Sequence, residues 1–313
     1  RRSSDLAAFA LIAAACGGDD EVDVSDFRVA IVAPSASNDL AFTQSIVDAV
    51  DALGISPDIT DGTFNIDDAA AAIRNYAADG VDLVIAHGSQ YGASLEEIAP
   101  DFPEVSFAWG TAADTKGLDN VYSYEAASDE GGYVMGVMAA ALSSSGNIGV
   151  VGPIEVGDAK LYVDGFIAGA ASGGATATAS YTGSFSDVAL ASETASGFAS
   201  AGADVLTGTA QMVVGAVSVA NDEGILWFGT QSNQTELAPN IVVASQVYHW
   251  EVILEDIIKN VQDGKLGGEI YEITLENDGL VIEYNDAYDR PGDVKDKADE
   301  AIEGIIDGSI STG

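Results

Sequence analysis

Cysteine occurs once in the 313 residues, as Cys16, which excludes an internal disulfide and leaves too few thiols for a zinc cluster. Histidine is nearly as scarce: His87 and His249 are the only two, and neither lies in an H-E-x-x-H spacing. Lysine and arginine together number 11 against 50 acidic residues, a net charge of -39. Phosphate binding runs on Lys and Arg, so nucleic acid is excluded as a partner, and anionic lipid surfaces and polyanions are repelled. A small neutral or cationic ligand remains acceptable. The sequence also lacks G-x-x-x-x-G-K-[ST] and a strand-linked G-x-G-x-x-G, the loops that cradle nucleotide phosphates. HGSQYG at 87–92 only approaches a G-x-S-x-G elbow, because its glycine spacing is wrong. In so acidic a chain paired carboxylates carry little information about glycosidase chemistry. No catalytic set, metal site or cofactor is therefore expected.

What is present begins with an apolar run, DLAAFALIAAA at 5–15, behind Arg1 and Arg2. A basic start, a short apolar stretch and small residues have the layout of an export signal, and the run is too short to span a bilayer. Small residues immediately before Cys16 resemble the bacterial lipoprotein signal, in which that cysteine is lipidated. Ala13 stands where such signals more often have leucine, and the arginine pair leaves a twin-arginine route open. Residues 17–25 read as a flexible charged tether. The expectation is an exported protein held at the cell membrane by lipid alone, with residues 1–26 as signal and tether.

From there on, short apolar runs alternate with segments of helical period. FRVAIVAP (27–34), VDLVIAHG (81–88), VSFAWG (105–110), NIGVVGP (147–153), ADVLTGTA (203–210), ILWFGTQ (225–231) and NIVVASQV (240–247) read as strands. Their hydrophobicity is continuous rather than alternating, as a parallel sheet covered on both faces requires. Helices are expected at 39–53, 66–78, 130–142, 159–170, 188–200 and 212–221, with Asp67 and Asp187 near starts where carboxylates favour the helix dipole. Strand and helix repeated this often mean a doubly wound α/β fold. The rhythm restarts near YEAASDEGG (124–132) without a Gly- and Pro-rich linker. After about 246, a helix at 250–262, the segments EIYEITL and GLVIEYN and a last helix at 292–307 complete the chain. Two such lobes with several crossings enclose a cleft at the carboxyl ends of their strands, where open α/β sheets bind ligands.

The strand ends carry aromatic rings beside amides and hydroxyls. NDLAFTQS (38–45), HGSQYG, AWGTAAD (108–114, with Trp109), GSFSD (183–187) and WFGTQSNQT (227–235) each follow or open an element at that edge. Rings supply flat walls for a planar ligand and amides orient it. Phe42 reads equally well as a buried helix anchor. His87, at a strand end, reads first as a hydrogen-bonded structural residue and second as a cleft residue. Trp227 and Phe228, adjacent on a strand, face opposite ways, so at least one belongs to the core.

In these stretches the chain resembles the basic membrane protein family, the PnrA-like lipoprotein receptors that feed ABC importers. NDLAFTQS resembles the family's D-D-K-S-F-N-Q-S, and residues 81–108 resemble its strand, glycine turn and A-x-x-x-P-x-x-x-F-A. ASDEGGYVMGVMAAAL matches E-x-x-Y-L-x-G-x-x-A-A. NIGVVGPIEVGDAKLYVDGFIAGA, YTGSFSDVALASETA and GADVLTGTAQMVVGAV follow in family order, and FGTQSNQTELAPNIVVASQV stands at D-x-D-Q.

The resemblance covers about 27–308 and implies a type I periplasmic-binding-protein fold, two doubly wound parallel-sheet lobes joined by a multi-crossing hinge. The N-terminal lobe would hold 27–126 plus 247–275, the C-terminal lobe 127–246 plus 276–313. It implies a purine nucleoside or similar neutral ring compound as ligand, ABC permease subunits as partners, and a monomer. Phe42 would stack on the ring, with Asp39, Thr43, Gln44, Gly88, Gln90, Tyr91, Trp109, Phe185, Gln211, Gln231 and Asn233 lining or bordering the cleft. Thr43 replaces an asparagine, Gln231 and Asn233 replace two acids, Tyr248 stands where many members have lysine, and WGT lacks the acid that usually follows the fourth strand. Charged contacts are thus expected to give way to neutral ones. A nucleoside- or sugar-processing secreted enzyme, or a ligand sensor of the same fold, is the alternative.

Overall fold

The structure, a computed structural model, describes residues 24–313; Cys16 and the signal lie outside the described residues. In chain order the elements are β1 Val29–Val32, α1 Phe42–Ala52, β2 Asp58–Thr60, α2 Ile66–Ala78, β3 Leu83–Ala86, α3 Gly92–Ile98, β4 Ser106–Gly110 and β5 Val121–Ala126. Next come α4 Ser128–Leu142, β6 Asn147–Gly152, α5 Gly157–Ser172, β7 Thr176–Tyr181, α6 Val188–Ser200, β8 Val205–Gly208, α7 Val214–Glu223, β9 Leu226–Gln231 and β10 Val242–Tyr248. The chain closes with α8 Glu251–Gln262, β11 Ile270–Ile273, β12 Leu280–Tyr284 and α9 Gly292–Ile306.

Two six-stranded sheets result, in the orders β11-β5-β4-β3-β1-β2 and β12-β10-β9-β8-β6-β7. Every pairing is parallel except that of β10 with β12. The continuous apolar runs of β1, β3 and β8 are buried at every position, because each strand is covered on both faces. Separate apolar clusters fill the two faces of each sheet.

The expected strands and helices are found, with shifts at their ends. The first helix starts at Phe42 because Asp39 folds back over it, accepting from the backbone N–H groups of Thr43 (3.2 Å) and Gln44 (3.1 Å). Asp67 lies in the first turn of α2, as expected, behind the cap Asn65, and Asp187 itself caps α6 through the Leu190 N–H at 3.0 Å. Five strands lie outside the expected set, of which β11 and β12 fall within the segments EIYEITL and GLVIEYN. Edge strand β7 alternates between exposed and half-buried residues, and β2 has only three residues, so neither carries a buried-strand pattern. β5 is hidden by its polar letters VYSYEA, although Tyr122 and Tyr124 are fully buried.

Helices α4 and α5 touch backbone to backbone. A methyl at Gly136 would stand 2.2 Å from the Phe166 carbonyl oxygen, and one at Gly169 2.0 Å from that of Tyr133. Only glycine permits that approach. It draws α4 inward, where it also packs on α9, β10 and β12.

The chain passes between the sheets three times, after β5, β10 and β11. These crossings are stitched together. The Ala127 N–H donates to Ile273 O (2.9 Å), the hydroxyls of Ser128 and Tyr248 share a hydrogen bond (2.7 Å), and the His249 N–H donates to Gly279 O (2.8 Å). His249 bonds Glu251 through Nδ1 at 2.7 Å and faces Glu283 at 3.8 Å, and these bonds raise its pKa to about 10. It therefore stays charged and ties α8 to β12 at the hinge. Among the described residues no helix is long and apolar enough to cross a membrane.

Candidate functional site

The strand order reverses beside β1 in one sheet and beside β6 in the other, and such points leave a crevice at the carboxyl ends. A cavity of about 230 Å³ lies there, walled from both sheets. Pro34 follows β1, Phe64 follows β2, Gly88 and Gln90 follow β3, and Thr111 follows β4. The other wall is Val156 to Ala159 at the start of α5, Phe185 after β7, Ala210 and Gln211 after β8, and Gln231 ending β9.

The backbone is strained at this edge. Thr111, Ala210 and Gln231 have φ of 53°, 71° and 73°, a region that side chains avoid. Each lines the cavity, and Leu40, at 50°, sits just before α1. Lys116 and Asp278 share this region elsewhere, but three of the six such residues among those described line the cavity, and strain of this kind often gathers at ligand sites.

Phe42 resolves into both of its readings. It is 8 % exposed, lines the cavity, and stacks on His87 with centroids 4.0 Å apart and planes at 18°. His87 is fully buried and outside the cavity lining. Its Nε2 lies 3.1 Å from Phe42 O, an acceptor only, so Nε2 carries the proton and Nδ1 accepts from the Tyr124 hydroxyl at 2.7 Å. Burial lowers its pKa to about 3, outweighing the Phe42 bond, and keeps it neutral. A methyl on Gly110 would meet both Tyr124 Oη (2.6 Å) and His87 Nδ1 (2.9 Å), so the missing side chain makes room for this pair. His87 is thus a structural buttress behind the Phe42 ring.

Of the residues expected at the cleft, Phe42, Gly88, Gln90, Phe185, Gln211 and Gln231 line the cavity. The others are placed elsewhere, each for a physical reason. The Asp39 carboxylate is consumed by the α1 N–H groups and by Ser35 Oγ at 2.6 Å. Thr43 is fully buried against Ser35, and Tyr91 against Thr63 at 2.8 Å. Trp109 slides beneath Gly92 and donates through Nε1 to Gly88 O at 3.1 Å, supporting the turn from behind. Gln44 and Asn233 border a different depression, where Asn233 donates to Glu283 at 2.6 Å. Trp227 and Phe228 are both core, one on each face of β9.

Sequence reasoning missed Phe64, Thr111 and, above all, Asp158. Asp158 is 7 % exposed and is the single ionisable residue of the lining. Burial pushes its pKa up to about 6, opposed by hydrogen bonds from Tyr248, from Gln231 and from the backbone N–H groups of Ala159 and Asp158 itself. Tyr248 Oη lies 3.3 Å from its carboxylate. In a lining expected to be largely neutral, the carboxylate present is Asp158 and not the expected Asp39. The available signal was GDAK, opening the helix that follows β6, a carboxylate in the first turn of a helix that starts at the cleft edge.

The sequence model of the family described as ABC transporter substrate-binding protein PnrA-like matches residues 27–311. A purine-binding protein of Brucella abortus is 28% identical over 78% of this chain and 69% of its own length. The ABC transporter nucleoside-binding protein BmpA of Lactococcus lactis is 26% identical over 92% of this chain and 89% of its own. The fold is shared with an ABC transporter solute-binding protein of Conexibacter woesei, at a TM-score of 0.74 and 24% identity over 91% of this chain and 98% of that one. With a cleft at the strand ends of two parallel sheets and a family match across both, this chain belongs to the PnrA-like ABC transporter substrate-binding proteins.

Proposed function

We propose that the protein is an extracytoplasmic receptor that traps a small ring compound, of the purine nucleoside class, between its lobes and presents it to an ABC permease. The observation that carries this reading is the convergence of three phenyl rings, Phe42, Phe64 and Phe185, with the amides of Gln90, Gln211 and Gln231 in one cavity built from both sheets. Rings face a planar ligand and amides orient it. A ligand that bridges two lobes favours their closed arrangement. The moving bodies in this reading are 27–126 with 247–275 and 127–246 with 276–313. The names of the Brucella and Lactococcus relatives support the ligand class. The receptor holds its ligand without converting it, acts as a monomer, and is moored through a lipid on Cys16.

Calorimetric titration with adenosine, guanosine and inosine tests the ligand class, and mass spectrometry of compounds released on denaturing the purified protein tests it independently. Phe42→Ala is expected to weaken nucleoside binding by about 1 to 3 kcal/mol, the loss of one stacking face. Unchanged affinity in that variant would remove Phe42 from the site, and nucleoside turnover would replace the receptor by an enzyme. Cys16→Ala is expected to move the protein from the membrane fraction to the soluble one. Retention at the membrane would sink the anchor.

A further inference from the structure

The cavity is chemically one-sided. Among the described residues its lining holds three phenyl rings and one carboxylate and contains no Lys, Arg or His. Gln231, only 2 % exposed and held at a strained φ of 73°, has an Oε1 with no hydrogen-bond partner. Asp158 thus offers the cavity an anionic acceptor with no cation beside it among the described residues. The first turn of α5 could have attracted an anionic ligand. That role is filled from within, because the Asp158 carboxylate takes the N–H groups of its own helix start. Phenyl rings attract cations through their quadrupole, and a buried carboxylate without a cationic partner is costly until one arrives.

Resting on the reading of this cleft as the ligand site, we propose that it selects ring compounds bearing a positive charge, with the cationic nitrogen seated against Asp158. This refines the ligand class from a neutral ring to an aromatic or heteroaromatic cation. The groups packed around Asp158 agree. Gln231 comes from β9, Tyr248 from β10 and Ser128, through Tyr248, from the start of α4; Glu125 on β5 acts on it electrostatically, and no cation is among them. Ionisation of the carboxylate is required for the preference, so the preference fades as pH falls through about 6.

The test compares adenosine, its cationic derivative 1-methyladenosine, and phenyltrimethylammonium, an aromatic cation that is not a nucleoside, by calorimetry on the full chain and on Asp158→Asn. The wild type is expected to bind 1-methyladenosine roughly tenfold to a hundredfold more tightly than adenosine, the worth of a hydrogen bond to a charged group. Asp158→Asn is expected to bring the two within about twofold of each other. A circular dichroism melt verifies that this isosteric variant is folded. Adenosine binding as well as its cationic derivative to the wild type overturns the charge selection and leaves the nucleoside reading standing. A preference that survives in Asp158→Asn also overturns it. Binding of phenyltrimethylammonium alone, lost in Asp158→Asn, upholds the charge selection and discards the nucleoside. Binding of none of the three at millimolar concentration overturns both.

Discussion

A carboxylate that is almost fully covered and has no cationic neighbour lowers stability whenever it is ionised. Asp158 has a folded pKa of about 6 against the usual 3.8, so between those values the folded chain holds a proton that the unfolded chain has released. Its contribution to stability is fully present below 3.8 and lost as pH rises through about 6. Asp158→Asn should therefore flatten that part of the stability profile and stabilise the ligand-free protein by up to about 3 kcal/mol at neutral pH. Urea unfolding across the range checks this, and an unaltered profile would mean that the carboxylate is hydrated. This residue also shows what the letters could not reveal. Phe42 and Gln231 were legible because strand ends are readable from hydrophobic runs. Asp158 is one acid among 50, and only the burial of its carboxylate sets it apart. Conversely, Asp39, Tyr91 and Trp109 occur at the right edge but turn away, because unsatisfied N–H groups, a threonine hydroxyl and a glycine gap claim them first.

At the scale of elements, parallel strands with apolar residues on both faces were legible from composition alone. Strand β7 was not, since an edge strand needs no continuous apolar run. The close pairing of α4 with α5 was hidden for another reason: glycine four residues apart usually weakens a helix, and only the partner explains it. Gly169→Ala would place a methyl 2.0 Å from the Tyr133 carbonyl oxygen. Backbone cannot rotate aside as a side chain does, so the helices must separate, at about 1 to 3 kcal/mol or more. Thermal melting of this variant should show a clear fall in midpoint. Gly197→Ala, on a helix face with nothing within 4 Å, should raise it slightly. Equal responses of the two would mean that the α4–α5 contact is not close-packed.

The molecule as a whole carries a net charge of -39, and among the described residues its Lys and Arg ion pairs lie at the surface, where each contributes little, leaving His249 with its two glutamates as the part-buried exception. Self-repulsion therefore opposes the compact state, and salt relieves it, since the Debye length falls from about 30 Å at 0.01 M to about 3 Å at 1 M. The melting midpoint is expected to rise steadily over that range of sodium chloride; a flat or falling midpoint would show that the acids are spaced widely enough not to interact. The same field draws cations toward the cleft before any contact is made. The three crossings stitched at the hinge have one more effect, on biosynthesis. β11 pairs with β5 in the first sheet and β12 with β10 in the second, so β5 and β10 each lack a neighbour on one side until residues 270–284 exist. A nascent chain that has reached only α8 bears two unfinished halves, each still exposing the strand that β11 or β12 goes on to cover.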